Sequence, residues 1–599
     1  MAVFWLTKRT GTYADALAAC GLAGMLTQAG AESVTIRDEG WGYAVEAAEG
    51  IAALNLGALH AYPGYPYVLL PRKDGKIDPN APTMNSIDYA GERDRLKNYR
   101  EQRELFRKAR GRLTEDDEAR LKQIAPRDGW FLYQNFNVLQ AFGGYNGLHA
   151  EIRRSDPQKF AEAVEAKLRA LETQGDPAEA HTAFAPNVSA VQTFNPSVGK
   201  GVNRPKPNGT GAAGLPPVFV DWFEEWLRYI GMGRSAYALA VGKDIKVMVI
   251  APADADASLL TDLWQELVTM RTPWSSVTVD ILYSLGLARF LIVRSGLTAE
   301  ATAGSVLDLM GRRPSDIVAG LQTAYFTSLG NARALTNTSF IGLPGWFAIN
   351  AESASVWIDI IEEHRRVIRG LDEEKTEELR LLQLYRDFLS SSAAGLTPFF
   401  RMLTGYAAHL MRAREQKNRR VAASQFTVPL LRRLITEMAA PYGQIFANDG
   451  FRNIATAIRR STVTEQYWKA RGDQQYEIRY GLFQDLERKT HFPGEFLKAI
   501  GKFVMDYDVE NAKIEERAAK DGKASRPIRR RTHVTTHDIA SFTSLLDGLG
   551  DQAEVAAMLL LAYASARDPR EQAAEPPVSG SQGDEGDSAG GSDANGEPE

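Results

Sequence analysis

The stretch 236–251, AYALAVGKDIKVMVIA, decides how the first half of the chain is expected to fold. Its two apolar runs, rich in β-sheet-forming residues, predict a β-hairpin. Patterning predicts an aromatic helix at 221–229 before this hairpin and a helix at 257–270 after it. A second pair of strands is predicted at 275–283 and 289–294. Hairpins separated by helices are typical of an α+β domain and not of a doubly wound parallel sheet.

The same patterning extends to the N-terminus, where a strand is predicted at 2–7, a helix at 13–28 and a hairpin at 32–47. A highly charged segment, 92–123, predicts one or two exposed helices, with a break near 111–114. These elements assign the first part of the chain to a large mixed N-terminal domain of the α+β class.

From about residue 353 the strand pattern ends and helical spacing continues. Further helices are predicted at 424–438, 451–460, 475–489, 494–518, 536–546 and 552–566. The sequence therefore predicts an α+β domain at 1–350, a C-terminal α-helical bundle at 351–567 and a disordered acidic tail at 568–599. Within the first domain, the long irregular segment near 175–217 is expected to be either functional or disordered.

Composition excludes several classes of protein. The 599 residues suffice for about two to four domains. They are 44% hydrophobic and 24% charged, which excludes a fibrous or wholly disordered chain. A single cysteine, Cys20, rules out an intrachain disulfide and a cysteine-based zinc site. No apolar run has the length of a membrane helix, and the first residues do not resemble a secretory signal. A cytoplasmic protein without membrane contact is expected.

Charge is distributed unevenly along the chain. Between residues 401 and 540 there are 26 Lys and Arg against 16 Asp and Glu, whereas residues 571–599 contain eight acidic residues and no Lys or Arg. A basic block followed by an acidic tail favours a surface that binds a polyanion. The same counts also fit an ordinary solvated surface.

The segment 194–206, FNPSVGKGVNRPK, combines cations and amides with Gly and Pro. Lys and Arg neutralise phosphates, whereas Asn or Arg can hydrogen-bond base edges. The segment is therefore predicted to contact duplex DNA, although a surface linker fits the same composition. The predicted contact residues are Lys200, Asn203, Arg204 and Lys206.

A second basic group is expected on helices, where Tyr and Trp residues between 467 and 480 alternate with cations. Aromatic rings among cations suit a single strand, because bases stack on the rings while phosphates pair with the charges. The alternative is an aromatic core with a charged outer face. The predicted strand path comprises Arg452, Arg459, Arg460, Lys469, Arg471 and Arg479. A third run, 523–531, is read either as a further contact or as a solvated connector.

The remaining sequence motifs do not indicate a nucleotide-binding, phosphate-binding or metal site. The G-x-G-x-x-G pattern at 209–214 follows no strand and is succeeded by two prolines, so no nucleotide cofactor is expected. The Gly199–Lys200 pair lacks the Ser or Thr of a phosphate loop. His533 and His537 are spaced for one helical face and Asp538 follows, but no further ligand completes a metal site. We expect no cofactor and no metal.

The pattern FRxIAxAIR at 451–459, followed by Tyr467–Trp468 and YExRYGL at 476–482, resembles the large subunit of type I CRISPR effector complexes, the Cas-eight group of Cascade proteins. The segment 194–206 and the layout, a mixed N-terminal part and a helical C-terminal part, are similar as well. The resemblance covers most of the chain in layout, and these segments in motif.

The resemblance implies a protein of antiviral defence that is not an enzyme. Guide RNA reads the target sequence by base pairing, while the protein reads a short flanking motif, the PAM, in duplex DNA. It further implies stabilisation of the R-loop and its displaced strand, and recruitment of a helicase–nuclease. The implied partners are guide RNA, target DNA, other Cascade subunits and that helicase–nuclease. PAM recognition would fall to the loop cations and Asn203, and the helical cations would guide DNA.

Two alternatives remain at this point. The chain could be a metal-dependent nuclease of a related CRISPR system, for which only His533, His537 and Asp538 offer ligands. It could also be a generic nucleic-acid-binding scaffold protein.

Overall fold

The computed structural model of the chain describes most of the residues, and every structural statement below concerns those residues. They are 1–71, 81–82, 84–111, 113–127, 129–186, 188, 190–198, 220–270, 275–297, 309–330, 333–390, 396–415, 424–438, 440–520, 529 and 531–569. The fold class is α+β, as predicted, with a helical C-terminal region.

The first part of the chain alternates short strands and helices. Its elements are β1 (Ala2–Thr7), α1 (Tyr13–Gln28), β2 (Val34–Asp38), β3 (Gly42–Ala47), α2 (Leu56–Ala61), β4 (Tyr67–Leu69), β5 (Ser86–Asp88), α3 (Tyr89–Arg110), α4 (Glu115–Ile124), α5 (Trp130–Val138), α6 (Phe142–Arg154) and α7 (Pro157–Glu172). Gly111, in the left-handed conformation, ends α3 and separates it from α4. The strand 2–7, the helix 13–28 and the following hairpin are confirmed.

The second group of elements completes the mixed part. It comprises α8 (Trp222–Ser235), β6 (Ala236–Val241), β7 (Asp244–Pro252), β8 (Asp254–Asp256), α9 (Ala257–Thr269), α10 (Val277–Arg294), α11 (Pro314–Ile317), β9 (Val318–Ser328) and β10 (Arg333–Gly342). The hairpin of β6 and β7 is confirmed, with Ala238 opposite Val247. The strand pair predicted at 275–294 is wrong, because α10 occupies that stretch.

The described strands form two antiparallel sheets and one short parallel pair. One sheet has the order β1-β3-β2-β8 and the other the order β10-β9-β7-β6, while β4 pairs with β5. Since β8 follows β7 directly but pairs with β2, with Ala255 opposite Ile36, the chain passes from one sheet to the edge of the other. Both sheets therefore belong to one unit of structure.

Two helices cross with their backbones in contact at the centre of this unit. A Cβ atom placed on Gly21 of α1 would lie 1.8 Å from the carbonyl oxygen of Leu227 in α8. One placed on Gly231 of α8 would lie 2.0 Å from the carbonyl oxygen of Leu17. Glycine is therefore required at both positions, because any side chain would force the helices apart.

After β10, the described secondary structure is helical, with one isolated bridge between Thr427 and Arg567. The helices are α12 (Ala354–Arg369), α13 (Thr376–Leu389), α14 (Thr397–Glu415), α15 (Val428–Met438), α16 (Ala440–Ala447), α17 (Asp449–Arg460), α18 (Val463–Ala470), α19 (Leu482–Glu487), α20 (Pro493–Lys520), α21 (Thr536–Leu549) and α22 (Ala553–Ser565). Helix α22 is buried along almost its whole length and packs against α14 and α17. The C-terminal helices thus assemble around it.

The hydrophobic core continues from the mixed part into the helical part. Helix α10 packs against α12 and α13. Trp346 and Phe347 stack on Phe388 and Trp357, with ring centroids 5.2 Å and 4.6 Å apart. The boundary predicted at 350/351 separates two kinds of secondary structure, and aromatic contacts join the two sides.

Among the described helices, none combines the length and the apolar character needed to cross a bilayer. Of the tail predicted at 568–599, the structure describes residues 568 and 569, and the remainder lies outside the described residues.

Candidate nucleic-acid interface

The four residues predicted to read duplex DNA, Lys200, Asn203, Arg204 and Lys206, lie outside the described residues. The chain on either side of them is described. Phe194 and Asn195, which begin the motif, are fully buried. They therefore anchor the start of the segment in the core of the fold.

The two ends of this segment are held within about one turn of α8. On the upstream side, the Asn195 amide donates a hydrogen bond to Glu225 Oε1 at 2.7 Å, and the Tyr13 hydroxyl donates to the Thr193 carbonyl oxygen at 2.8 Å. On the downstream side, Asp221 caps α8 by accepting from the Phe223 amide at 3.0 Å. The Lys167 ammonium donates to Asp221 at 2.9 Å. The predicted DNA-reading segment thus leaves and rejoins the fold at neighbouring positions.

The anchors Asn195 and Asp221 contact a group of buried and partly buried charges. We call this group the buried charge cluster and define it as Arg9, Asp176, Glu224, Glu225 and Arg228. Arg228 pairs with Glu224 at 3.0 Å and with Glu225, and Arg9 pairs with Glu224 at 3.3 Å and Asp176 at 2.5 Å. Burial raises the pKa of Glu225 and of Glu224, and the Arg228 charge opposes that shift in both. The buried charge cluster is stable because each buried charge is paired with a charge of opposite sign.

The predicted strand path divides into an inner and an outer layer. In the inner layer, Arg459 is 1% exposed. Its guanidinium lies 3.5 Å from Asp568 and donates to the Tyr563 carbonyl oxygen at 3.2 Å. Arg479 pairs with Glu510 at 2.7 Å. Both arginines form contacts within the protein. The burial of Arg459 argues against its predicted place on a DNA path, whereas Arg479 keeps 18% of its side chain exposed and its place there stays a prediction.

Two arginines of the third basic run also belong to this inner layer. Arg529 donates to Glu465 at 2.8 Å and lies over the Trp468 ring at 4.8 Å. Arg531 is stacked on the Tyr476 ring. They are neither strand contacts nor part of a solvated connector. Residues 523–528 and 530 of that run lie outside the described residues.

These inner contacts shape the segment that precedes α19. The helix predicted at 475–489 is wrong over its first half, since only Leu482–Glu487 is helical. The amides of Gln475 and Tyr476 donate to the Glu465 carboxylate at 2.7 Å and 3.0 Å. They are therefore satisfied by a side chain and not by a helical turn.

The outer layer consists of Arg452, Arg460, Lys469 and Arg471, which retain exposed surface. The Lys469 ammonium donates to the Tyr480 hydroxyl at 3.0 Å, and the Arg471 guanidinium lies 4.3 Å from the centroid of the Tyr467 ring. The structure thus joins Lys469 and Arg471 to the aromatic side chains predicted to accompany them. Arg452 pairs with Asp449 one turn before it.

We call Lys469, Arg471, Tyr467 and Tyr480 the cation–aromatic surface. Lys469 and Arg471 are both exposed, and each rests against a partly buried ring. Such a surface offers positive charge to phosphates and ring faces to unpaired bases. It suits a flexible single strand, because neither contact depends on base identity.

Among the described residues, His533 and His537 are not accompanied by further metal ligands. Asp538 accepts a hydrogen bond from the Thr535 amide at 2.8 Å and caps α21, and it also accepts from Asn453 at 2.9 Å. His491 faces Glu554 at 2.8 Å. Within the residues described, no group of three or more His, Cys, Asp or Glu side chains is placed to hold a metal ion.

Two clefts were not predicted from the sequence. One, of about 410 Å³, lies in the helical part and is lined by Glu377, Arg380, Arg412 and Glu487, among others. The other, of about 390 Å³, lies beside α8 and includes Arg127 and Arg234. These arginines were not predicted because no local motif links the residues of either cleft, and only the fold brings Arg380 to Arg412 and Arg127 to Arg234.

No protein-family model matches the chain, and no curated protein matches it either.

Proposed function

We propose that the chain is the non-catalytic large subunit of an RNA-guided type I CRISPR surveillance complex in the cytoplasm. In this role it recognises the PAM in duplex DNA, stabilises the R-loop and helps to recruit a helicase–nuclease. The proposal combines the resemblance of the segments at 194–206 and 451–482 with the observation that carries it, the cation–aromatic surface. Exposed cations held against tyrosine rings supply the chemistry that a displaced single strand requires.

The contacts on either side of the segment 199–219 support a separate role for this segment in PAM recognition, apart from the single-strand contact proposed for the cation–aromatic surface. Its flanking residues are fixed to the buried charge cluster, so the segment with Lys200, Asn203, Arg204 and Lys206 starts from a rigid base. Contacts to base edges specify sequence only when their donors are presented at fixed positions. The partners in this proposal are guide RNA, target DNA with its displaced strand, other Cascade subunits and the helicase–nuclease.

The nucleic acid that accompanies the protein tests the proposal directly. We expect protein isolated from its native cells to carry short RNAs of uniform length that share a repeat-derived end. Sequencing of that RNA is the measurement. A random mixture of RNAs, or none, would contradict RNA guidance and favour a generic nucleic-acid-binding scaffold.

The double variant Lys469→Ala/Arg471→Ala is expected to weaken binding of a single strand by at least about tenfold at low salt, because hydrogen bonds to charged groups contribute about 1.5 to 3 kcal/mol each. It should do so equally for all base sequences. The slope of log affinity against log salt should fall by about 0.7 for each lost phosphate contact. Fluorescence anisotropy with labelled oligonucleotides measures both effects.

The matched control is Lys108→Ala/Lys520→Ala, which removes the same charge from exposed positions. These lysines pair with Glu104 and Glu516 on their own helices. If both double variants lose equal affinity, binding follows net charge alone and the cation–aromatic surface has no special part in it.

Arg204→Ala and Asn203→Ala are expected to relax the preference for one flanking motif in duplex DNA by about tenfold, since a good base contact contributes about 1 to 3 kcal/mol of discrimination. Lys200→Ala, by contrast, should lower affinity for every motif alike. Competition between duplexes that differ only in the flanking bases separates the two results. Unchanged preference in both Arg204→Ala and Asn203→Ala would remove this segment from PAM recognition.

A further inference from the structure

The cleft of about 390 Å³ beside the last turn of α8 has an unusual lining. Arg127 and Arg234 supply positive charge, Tyr62, Tyr65 and Tyr133 supply aromatic rings, and Asn85 lies at the rim. None of the described residues that line it is Asp or Glu. The cleft therefore presents cations to a ligand without carboxylates that would neutralise them.

Arg234 is held in place by the packing of α8 on α1. Its guanidinium lies across Gly24, where a Cβ atom would be 2.1 Å from Nε and 2.7 Å from Cζ. Arg234 is half-buried, and within the described part of the chain it forms no ion pair or hydrogen bond. Burial lowers the pKa of its guanidinium. A partly desolvated cation without a partner is costly, and a bound anion would remove that cost.

The cleft of about 410 Å³ in the helical part differs from this one in its charges. Its arginines are accompanied by carboxylates, and Arg412 pairs with Glu377 at 2.9 Å. An anion entering there would have to compete with those pairs. The Arg234 cleft, as we call the smaller one, therefore has the better chemistry for an anionic ligand.

The aromatic side of the Arg234 cleft is rigid. Tyr65 donates from its hydroxyl to the Tyr145 carbonyl oxygen at 3.0 Å, and Tyr133 stacks on Phe142 with centroids 6.1 Å apart. Tyrosine hydroxyls are neutral at physiological pH and do not repel an anion, and burial raises the pKa of the Tyr62, Tyr65 and Tyr133 hydroxyls further. Fixed neutral rings beside two arginines favour a ligand that is both planar and negatively charged.

We propose that the Arg234 cleft binds a single phosphorylated nucleotide, with its phosphate held by Arg127 and Arg234 and its base against the partly exposed rings of Tyr62 and Tyr133, beneath which Tyr65 is buried. Guanidinium groups bind phosphate oxygens in a paired geometry, and bases stack on aromatic side chains. The cleft volume is near the lower end of the range of ligand sites, about 300 to 1,000 Å³, which suits one nucleotide. This site is separate from the cation–aromatic surface, and its existence does not depend on RNA guidance.

Isothermal titration of the intact full-length protein with AMP, adenosine and inorganic phosphate tests the proposal. AMP should bind, and each fragment should bind at least about tenfold more weakly, because it engages only one side of the cleft. Competition with short oligonucleotides then identifies the source of the nucleotide. Displacement of AMP by a 5′-phosphorylated strand but not by its 5′-hydroxyl form indicates a strand end, whereas displacement by neither indicates a free nucleotide.

Three variants locate the site. Arg127→Met, at an exposed position, and Arg234→Met should each reduce AMP affinity by at least about tenfold. Gly24→Ala keeps every charge but displaces the Arg234 guanidinium, and it should reduce affinity as well. Arg412→Met in the other cleft is the control and should leave affinity unchanged. Absence of AMP binding to the intact protein, or equal affinity in Arg127→Met and the unaltered chain, would overturn the proposal.

Discussion

Gly231→Ala is expected to lower the free energy of unfolding by at least about 3 kcal/mol, the upper part of the range for an overfilled core. The added methyl group would meet the Leu17 carbonyl oxygen at 2.0 Å, a backbone atom that cannot turn away as a side chain would. Helices α1 and α8 would have to separate, and with them the sheets that pack on α1. Urea unfolding followed by circular dichroism measures the change.

Gly233→Ala is the matched control two residues further along the same helix. Its Cβ atom would meet no atom within 4 Å. Alanine has a higher helix propensity than glycine, so this variant should gain up to about 1 kcal/mol. If Gly231→Ala lowers the free energy of unfolding and Gly233→Ala raises it, the backbone contact at Gly231 is established as the cause of the loss. Equal losses would instead mean that replacing any glycine of this helix destabilises the fold, and that the contact at Gly231 is not the cause.

Arg228→Met is expected to cost about 3 to 5 kcal/mol of unfolding free energy, as for removal of one partner from a buried ion pair. Methionine is close to arginine in length, so little packing is lost. Glu224 and Glu225, which are 2% and 0% exposed, would then lose the guanidinium between them. Arg9 and Asn195 would remain as partners, and they do not replace the lost contacts.

The pH dependence of this loss distinguishes charge from packing. Without Arg228, the pKa of both carboxyls, already raised by burial, would rise further. A carboxyl whose pKa is higher in the folded state takes up a proton as the pH falls, and protonation favours folding. The deficit of Arg228→Met should therefore be smaller at pH 5 than at pH 8. A deficit that does not vary with pH would mean that packing dominates.

Arg169→Met provides the reference for an exposed arginine on a helix. Arg169 pairs with Glu165 one turn earlier at 2.6 Å, and its side chain is 60% exposed. Surface pairs of this kind contribute about 0 to 1 kcal/mol. A large loss here would mean that arginine removal in general, and not burial of the charge cluster, explains the result for Arg228.

Part of the fold follows from the sequence because its signals are local. The hairpin of β6 and β7 has two apolar runs with a short turn between them, and the break between α3 and α4 is marked by Gly111. The stretch that forms α10 has no such signal. It is buried on most sides, so its apolar residues show neither the alternation of a strand nor the stripe of a surface helix. Its β-branched residues favoured strands, and tertiary packing overrode that preference.

The candidate site, like the fold, could be predicted from the sequence only where the residues in contact are close together in the chain. Cations and tyrosines near one another in the chain, such as Lys469 with Tyr480 and Arg471 with Tyr467, do meet in the structure. Arg459, which looks equally exposed in the sequence, finds Asp568 and Tyr563 more than 100 residues later. A single sequence does not reveal such distant partners, so charge density alone overestimates how many cations are available to a ligand.

The convergence of the chain on α8 at Asn195 and Asp221 has a consequence for evolution. The described residues on either side of the interval 199–219 attach to α8 within about one turn of each other, through Asn195 to Glu225 and through the Asp221 cap. A change in the number of residues between them leaves both anchors in place. Insertions, deletions and substitutions in this interval can therefore accumulate while the anchors stay the same. Under the proposed function, a lineage that meets changing foreign DNA could revise its PAM preference within this interval without rebuilding the fold.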